Sequence, residues 1–201
     1  MDVKMTRPKT QPDEQVLEVA YRLMHAEGPE ALTFERLARA CGLSGSTLVQ
    51  RFRSKAQLKQ RTLLYAWDEL DRKTEALSAS TPRTPAGAIQ LLVALSCSYG
   101  DIETYAEGLL VLREDLRDPV LRARGAAWKA VLSKVLADCF ADVPGMPEDI
   151  GLLMAAHWQG SLLWWSFDPD TMELTAYVEQ GLKRFVAAIK TASARTVAGP
   201  M

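Results

Sequence analysis

The 201-residue sequence predicts an all-α fold of about nine helices, a three-helix helix-turn-helix domain followed by a larger helical domain. Three observations carry this. Apolar residues recur at helical spacing, as at i, i+4, i+7 and i+8 in the first helix, and no segment alternates convincingly with the period of a strand. Helix starts are marked by cap residues, with Thr33, Ser44 and Ser54 each placed just before a helical stretch and Thr84-Pro85 and Asp118-Pro119 repeating a cap-then-proline signal. Two of the capped helices are short and are separated by Gly42, the arrangement of a tight helix–turn–helix.

The first twelve residues are polar, contain two prolines and read as a basic arm. Asp13 starts a helix whose stripe is Val16, Ala20, Leu23 and Met24, and Gly28-Pro29 stops it. Thr33 caps a helix to about Cys41, with Leu32 and Leu37 at the spacing of a hydrophobic staple. Gly42 offers the left-handed conformation that ends it. Ser44 caps the next helix, with Leu43 and Leu48 as its staple. Ser54 with Gln57 forms a capping box for a long helix running to about Leu77. Ser78 to Ala86 is a Ser/Thr/Pro loop. Helices are then expected from Pro85 to about Gly100, from about Ile102 to Asp115, from Pro119 to about Ala141, from about Pro147 through an uncharged run, and from beyond Asp168-Pro169 to about Thr191. The resulting organisation is an arm over 1–12, a helix-turn-helix domain over 13–60, a helical domain over 61–191 and a polar tail over 192–201.

Composition is ordinary for a globular chain, at 48% hydrophobic and 24% charged residues. Cys41, Cys97 and Cys139 are dispersed and odd in number, which suits reduced thiols in a cytoplasmic protein and not a disulfide framework or zinc site. The N-terminus has no apolar region of the kind a signal peptide needs. Ile150 to Phe167 carries no formal charge, but it contains His157, Gln159, Gly160, Ser161 and Ser166 and is flanked by Asp149 and Asp168. It therefore reads as a helix buried on most sides within protein, not as a membrane span.

Charge is unevenly spread. The net charge is −1, yet residues 1–65 carry +4 and residues 66–201 carry −5. Arg36 to Trp67 holds seven bases (Arg36, Arg39, Arg51, Arg53, Lys55, Lys59 and Arg61) and no acid. Such a segment beside an acidic remainder has the charge pattern of a polyanion-binding surface.

On a helical wheel centred on Leu48 as the inward residue, Phe52 lies about 40° away. Ser46, Gln50 and Arg53 fall on the opposite side, flanked by Thr47 and Val49. This outward face is polar and short-chained, which suits close approach to a major groove. Ser, Thr and Gln can read base edges there, and Arg can read guanine or hold phosphate. Gly45 and Ser46 leave clearance, and Lys55 with the N–H groups after Ser54 sits at a helix start that favours phosphate.

Residues 14–65 resemble the DNA-binding domain of the TetR (tetracycline repressor) family. The resemblance rests on Gly28, Thr33, Leu37-Ala38, Cys41-Gly42-Leu43-Ser44, Ser46-Thr47-Leu48, Phe52, Ser54-Lys55 and Leu58, all in register. It covers about a quarter of the chain. It implies an all-α homodimer with an N-terminal DNA-binding domain and a C-terminal ligand-binding and dimerisation domain. Carried over by position, Thr33, Ser44, Ser46, Thr47, Val49, Gln50, Arg51 and Lys55 take DNA-facing roles. The sequence departs from the family at Val49, where an aromatic is usual, and at Gly45, where Lys or Arg is usual. Arg51 and Arg53 are expected to supply the phosphate contacts these changes remove.

The rest of the chain carries weaker signals. Trp128, Trp158, Trp165, Tyr99, Tyr105 and His157 are candidates for a mostly apolar pocket taking a small effector. Aromatics at helical spacing are more often a plain core than a ligand cage, and His157 fits a satisfied core position better than a pocket hydrogen-bonding one. Leu152, Ala156, Gly160 and Leu163, with Tyr177, Phe185 and Ile189 from the last helix, are candidates for a two-fold dimer face. No catalytic constellation, metal spacing or phosphate loop is visible, so no enzyme activity, metal or cofactor is expected. The function these features predict is a ligand-responsive regulator, a repressor released from a palindromic operator. The alternative is an all-α enzyme or protein-interaction module whose N-terminal domain does not bind DNA.

Overall fold

The computed structural model of the protein describes residues 11–197, with side chains as far as Thr191. Most of the expected basic arm and the last four residues of the expected tail lie outside the described residues. Among the described residues there are nine α-helices and no strand. They are α1 (Asp13–Glu27), α2 (Phe34–Cys41), α3 (Gly45–Phe52), α4 (Lys55–Ser80), α5 (Pro85–Ser96), α6 (Ile102–Arg117), α7 (Pro119–Asp138), α8 (Ile150–Trp165) and α9 (Leu174–Val197). A single 3-10 turn, Pro29–Ala31, joins α1 to α2. No helix among the described residues is long and apolar enough to cross a membrane.

The caps work as their chemistry dictates. Thr33 Oγ1 accepts the Arg36 N–H at 3.2 Å, Ser44 Oγ accepts the Thr47 N–H at 3.1 Å, and Ser54 Oγ accepts the Gln57 N–H at 3.2 Å. Asp118 Oδ1 accepts the Val120 N–H at 2.8 Å. Gly42 has φ 65°, the left-handed conformation that lets α2 stop and the chain turn into α3.

Several boundaries differ from expectation. α4 continues through Ser80 because Ser78, Ser80 and Thr81 turn their hydroxyls back onto carbonyls of the preceding turn. Only Pro82 and Pro85 end it. α5 stops at Ser96, where tight i→i+3 bonds (Ser98 N–H to Leu95 O, Tyr99 N–H to Ser96 O) replace helical ones. α8 begins at Ile150, since Pro147 to Asp149 form a turn closed by Ile150 N–H to Pro147 O. α9 carries helical backbone on to Val197.

The chain divides into two compact units. The first comprises the described residues to Glu69 together with Ala106–Arg122. Its core is built from Val16, Ala20, Met24, Leu32, Leu37, Leu48, Phe52, Leu58 and Leu63, joined by Val111 and Leu121. Both members of the α2 staple pair, Leu32 and Leu37, are wholly buried. Within this unit the stretch from Glu114 to Asp118, at the end of α6 and just past it, is bonded to α4 three times. Lys59 pairs with Glu114, Gln60 Nε2 donates to Asp118 Oδ2 at 2.7 Å, and Trp67 Nε1 donates to Asp115 Oδ1 at 3.2 Å.

The second unit comprises Leu70–Tyr105 and the chain from Ala123 onward. Its core includes Leu91, Leu92, Leu95, Leu132, Leu136, Met154, Trp158, Leu162, Val178 and Leu182. α7 and α8 approach closely at Gly151, where a Cβ would lie 1.9 Å from the Ser133 carbonyl oxygen. α8 is not buried on most sides within the chain. One stripe (Met154, Trp158, Leu162 and Trp165) is buried, while Leu152, Leu163 and Trp164 are exposed. The uncharged run thus combines a core face with an apolar outer face, and hydropathy alone does not separate the two.

Candidate nucleic-acid interface

The candidate interface is built around α3. Leu48 and Phe52 are buried and fix which side of the helix faces the core. Ser46, Val49 and Gln50 are exposed on the opposite side, Thr47 is half-buried, and the position of a Cβ on Gly45 is open space. The wheel reading of α3 is therefore the arrangement found. The Ser44 hydroxyl anchors the helix start, lying 2.9 Å from Ser46 Oγ and 2.7 Å from Thr47 Oγ1 as well as accepting the Thr47 N–H.

Arg53 is placed differently from the wheel. It lies past the end of α3 with φ 59° and ψ −50°, and Ser54 N–H closes onto Phe52 O at 2.6 Å. This is a classic γ-turn conformation, uncommon for a residue with a side chain. The turn ends α3 and starts α4 within two residues. Arg53 is exposed; its backbone N–H donates to Val49 O at 2.8 Å, and its side chain has no hydrogen bond or ion pair among the described residues.

The basic segment loses most of its excess charge in three dimensions. Arg36 pairs with Glu27 at 2.5 Å, Arg39 with Glu35 at 3.0 Å, Lys55 with Glu30 at 2.8 Å and Arg61 with Asp13 at 2.9 Å. Lys59 pairs with Glu114. Arg51 was expected on the DNA-facing side but turns back, donating to the Gln11 carbonyl at 2.7 Å and lying 3.5 Å from Asp13, with its side chain only 20% exposed. Lys55 keeps its position at the start of α4, and its pairing holds the Glu30 carboxyl below the ordinary range. That pair is exposed on both sides, so it is weak and a phosphate can replace the glutamate. Thr33 and Ser44 stand at the starts of α2 and α3 as helix caps, with their hydroxyls committed to backbone N–H groups.

In the second unit the pocket candidates separate into two places. Tyr99, Tyr105, Trp128, Trp158 and Trp165 form one connected aromatic cluster, with ring centroids 5.7 to 6.4 Å apart. Their indole N–H groups have internal acceptors: Trp158 on Ser96 Oγ, Trp128 on Thr74 Oγ1 and Trp165 on Met172 O. His157 is not part of the cluster. It stacks on Phe185 at 4.5 Å and 9°, and its buried Nε2 has no hydrogen-bond partner among the described residues. It lines an open groove of about 440 Å³ with Ala156, Gly160, Ser161, Trp164, Tyr177, Gln180, Gly181 and Arg184. Three dimer-face candidates, Ala156, Gly160 and Tyr177, line the same groove. Nothing lies within 4 Å of a Cβ on Gly160. Sequence reasoning missed Gln180, Gly181 and Arg184, which lie within two helical turns of Tyr177 on α9 and carried no motif. It also missed Asp115, a buried carboxyl whose burial is visible only in the fold.

Fold and surface together define an all-α protein with an N-terminal helix-turn-helix. Residues 16–62 match the family described as bacterial regulatory proteins, tetR family. The fold extends over most of the chain. A TetR transcriptional regulator from Legionella pneumophila shares it at TM-score 0.67 and 16% identity, covering 89% of this chain and 99% of that one. A protein from Saccharomonospora viridis, solved in complex with choline, does so at TM-score 0.68 and 16% identity, covering 87% and 95%. AibR, solved in complex with isovaleryl coenzyme A and operator DNA, does so at TM-score 0.58 and 18% identity, covering 84% and 94%. No curated protein matches the sequence.

Proposed function

We propose that the protein is a ligand-responsive DNA-binding transcriptional regulator, a repressor that leaves a palindromic operator when a small, mostly apolar effector binds. The observation that carries this reading is α3: a capped helix anchored by Leu48 and Phe52, with Ser46, Val49 and Gln50 exposed and no acid on the helix. Such a helix fits a major groove, with Lys55, Arg53 and the N–H groups at the start of α4 on the flanking phosphates.

Regulation needs a second state. α4 and α6 each contribute residues to both units, and the end of α6 with Asp118 just past it makes three bonds to α4 within the first unit. An effector in the second unit that favours one placement of α6 shifts the population of DNA-competent molecules. A differential affinity of a few kcal/mol is enough to empty an operator. Effector binding is supported by structural neighbours solved with choline and with isovaleryl coenzyme A. A homodimer is the natural reader of a palindrome. The exposed apolar face of α8 (Leu152, Leu163 and the open Gly160), with Tyr177, Phe185 and Ile189 on α9, is the proposed two-fold interface. Footprinting on genomic fragments tests the reading. Protected half-sites about one helical turn apart are expected, and the absence of any protected palindrome would overturn it.

A further inference from the structure

The base-reading surface of α3 is narrowed by its own neighbours. Gly45 has no side chain to offer. The Ser46 and Thr47 hydroxyls lie 2.9 and 2.7 Å from Ser44 Oγ and are occupied in the cap. Arg51 is bonded to the Gln11 carbonyl and paired with Asp13. Arg53 sits in the turn beyond the helix end. Two side chains remain exposed with no hydrogen bond among the described residues: Val49, which is 46% exposed, and Gln50.

These two have opposite chemistry and a shared preference. In the major groove a glutamine amide matches adenine, accepting from N6–H and donating to N7, whereas guanine is matched best by Arg or Lys. An apolar side chain finds a contact in that groove on the thymine C5-methyl. A lone exposed valine is ordinary on any surface. Val49, however, is the one large apolar side chain exposed on α3 and is adjacent to Gln50. With Arg51 withdrawn, α3 has no cation poised to read guanine.

Resting on the DNA-binding reading above, we propose that each operator half-site is centred on neighbouring A·T pairs, with Gln50 reading an adenine and Val49 packing on a thymine methyl. The sequence preference of the protein is thus set by one amide and one isopropyl group, and its basic residues set only affinity.

The test starts by selecting duplexes from a random pool with the full-length protein. Each thymine of the selected half-site is then replaced by deoxyuridine, which removes only the methyl. At one or two positions this replacement should weaken wild-type binding roughly fourfold, the value of one buried methyl. Val49→Ala should abolish that sensitivity while Gln50→Ala retains it. Gln50→Ala should in turn reduce discrimination of A·T over G·C at the adjacent pair by about tenfold. Both residues are exposed, so unchanged thermal melting checks that the variants fold. Half-sites centred on G·C, or a deoxyuridine effect equal in wild type and Val49→Ala, would overturn this proposal and leave the regulator reading standing. Failure to select any duplex would overturn both.

Discussion

Replacing Asp115 by Asn should stabilise the protein near neutral pH, against the usual expectation for removing a buried hydrogen-bonded charge. Asp115 is 8% exposed and accepts one indole N–H, from Trp67. Burial pushes its pKa up from 3.8 to about 6. The Trp67 bond opposes that rise, and the neighbouring Asp118 and Glu114 add to it. The folded state therefore holds the proton more tightly than the unfolded chain. Stability contributed by this group is greatest below the unfolded value and falls as pH rises through the window from about 3.8 to about 6. At pH 7 the charged form costs about 3 kcal/mol, and near pH 4.5 roughly 1 kcal/mol. Asparagine keeps an oxygen for the Trp67 N–H and removes the charge, although its amide needs a partner of its own. Denaturant unfolding followed by tryptophan fluorescence should show a gain approaching, but not exceeding, about 3 kcal/mol at pH 7, and a smaller gain at pH 4.5. A variant less stable than wild type at pH 7, or a gain independent of pH, would refute the assignment of the cost to desolvation.

Three other predictions address separate elements. Ser44→Ala removes the cap of α3 and should cost about 1 kcal/mol of stability, read as a lowered Tm. Gly151→Ala places a Cβ against the Ser133 carbonyl and the Ala137 nitrogen, so it should cost roughly 1–3 kcal/mol or more in the same assay. Lys55→Ala should weaken binding to all duplexes alike and reduce the salt slope by about one. Gln50→Ala should instead change which duplexes are preferred and leave that slope alone, and identical behaviour of the two would show that the faces are misassigned.

Much of the fold was legible because local chemistry dictates it. Thr33, Ser44 and Ser54 cap helices wherever the rest of the chain lies, and Gly42 turns left-handed for its own steric reasons. The inward and outward sides of α3 followed from Leu48 and Phe52 alone. Helix ends were read less well where two local tendencies compete. Serine and threonine favour loops in general, yet at the end of α4 their hydroxyls return to helical carbonyls and prolong it. The pocket candidates show the same limit. Aromatic spacing located one connected cluster, but it could not separate His157, whose ring stacks on Phe185 of another helix.

Charge was legible as composition but not as potential. A window with seven bases and no acid implied a strongly positive surface, and within the window that is true. The acids that meet those bases come from outside it: Asp13 and Glu27 on α1, Glu30 in the turn after it, Glu35 at the start of α2 and Glu114 on α6. Each partner but one is nine or more residues away along the chain, beyond any periodicity argument. The consequence is a division of labour among the bases. Lys59, with its partner Glu114, and Arg51, with Asp13, are both largely withdrawn from solvent and hold the helices of the first unit together. Lys55 and Arg39, in exposed pairs worth little in water, can exchange a carboxylate for a phosphate at small cost. Arg53 has no carboxylate partner among the described residues. On the proposed DNA-binding reading, the electrostatic part of binding therefore rests on a few exposed positions around α3, and the modest charge they supply leaves room for Val49 and Gln50 to set the sequence preference.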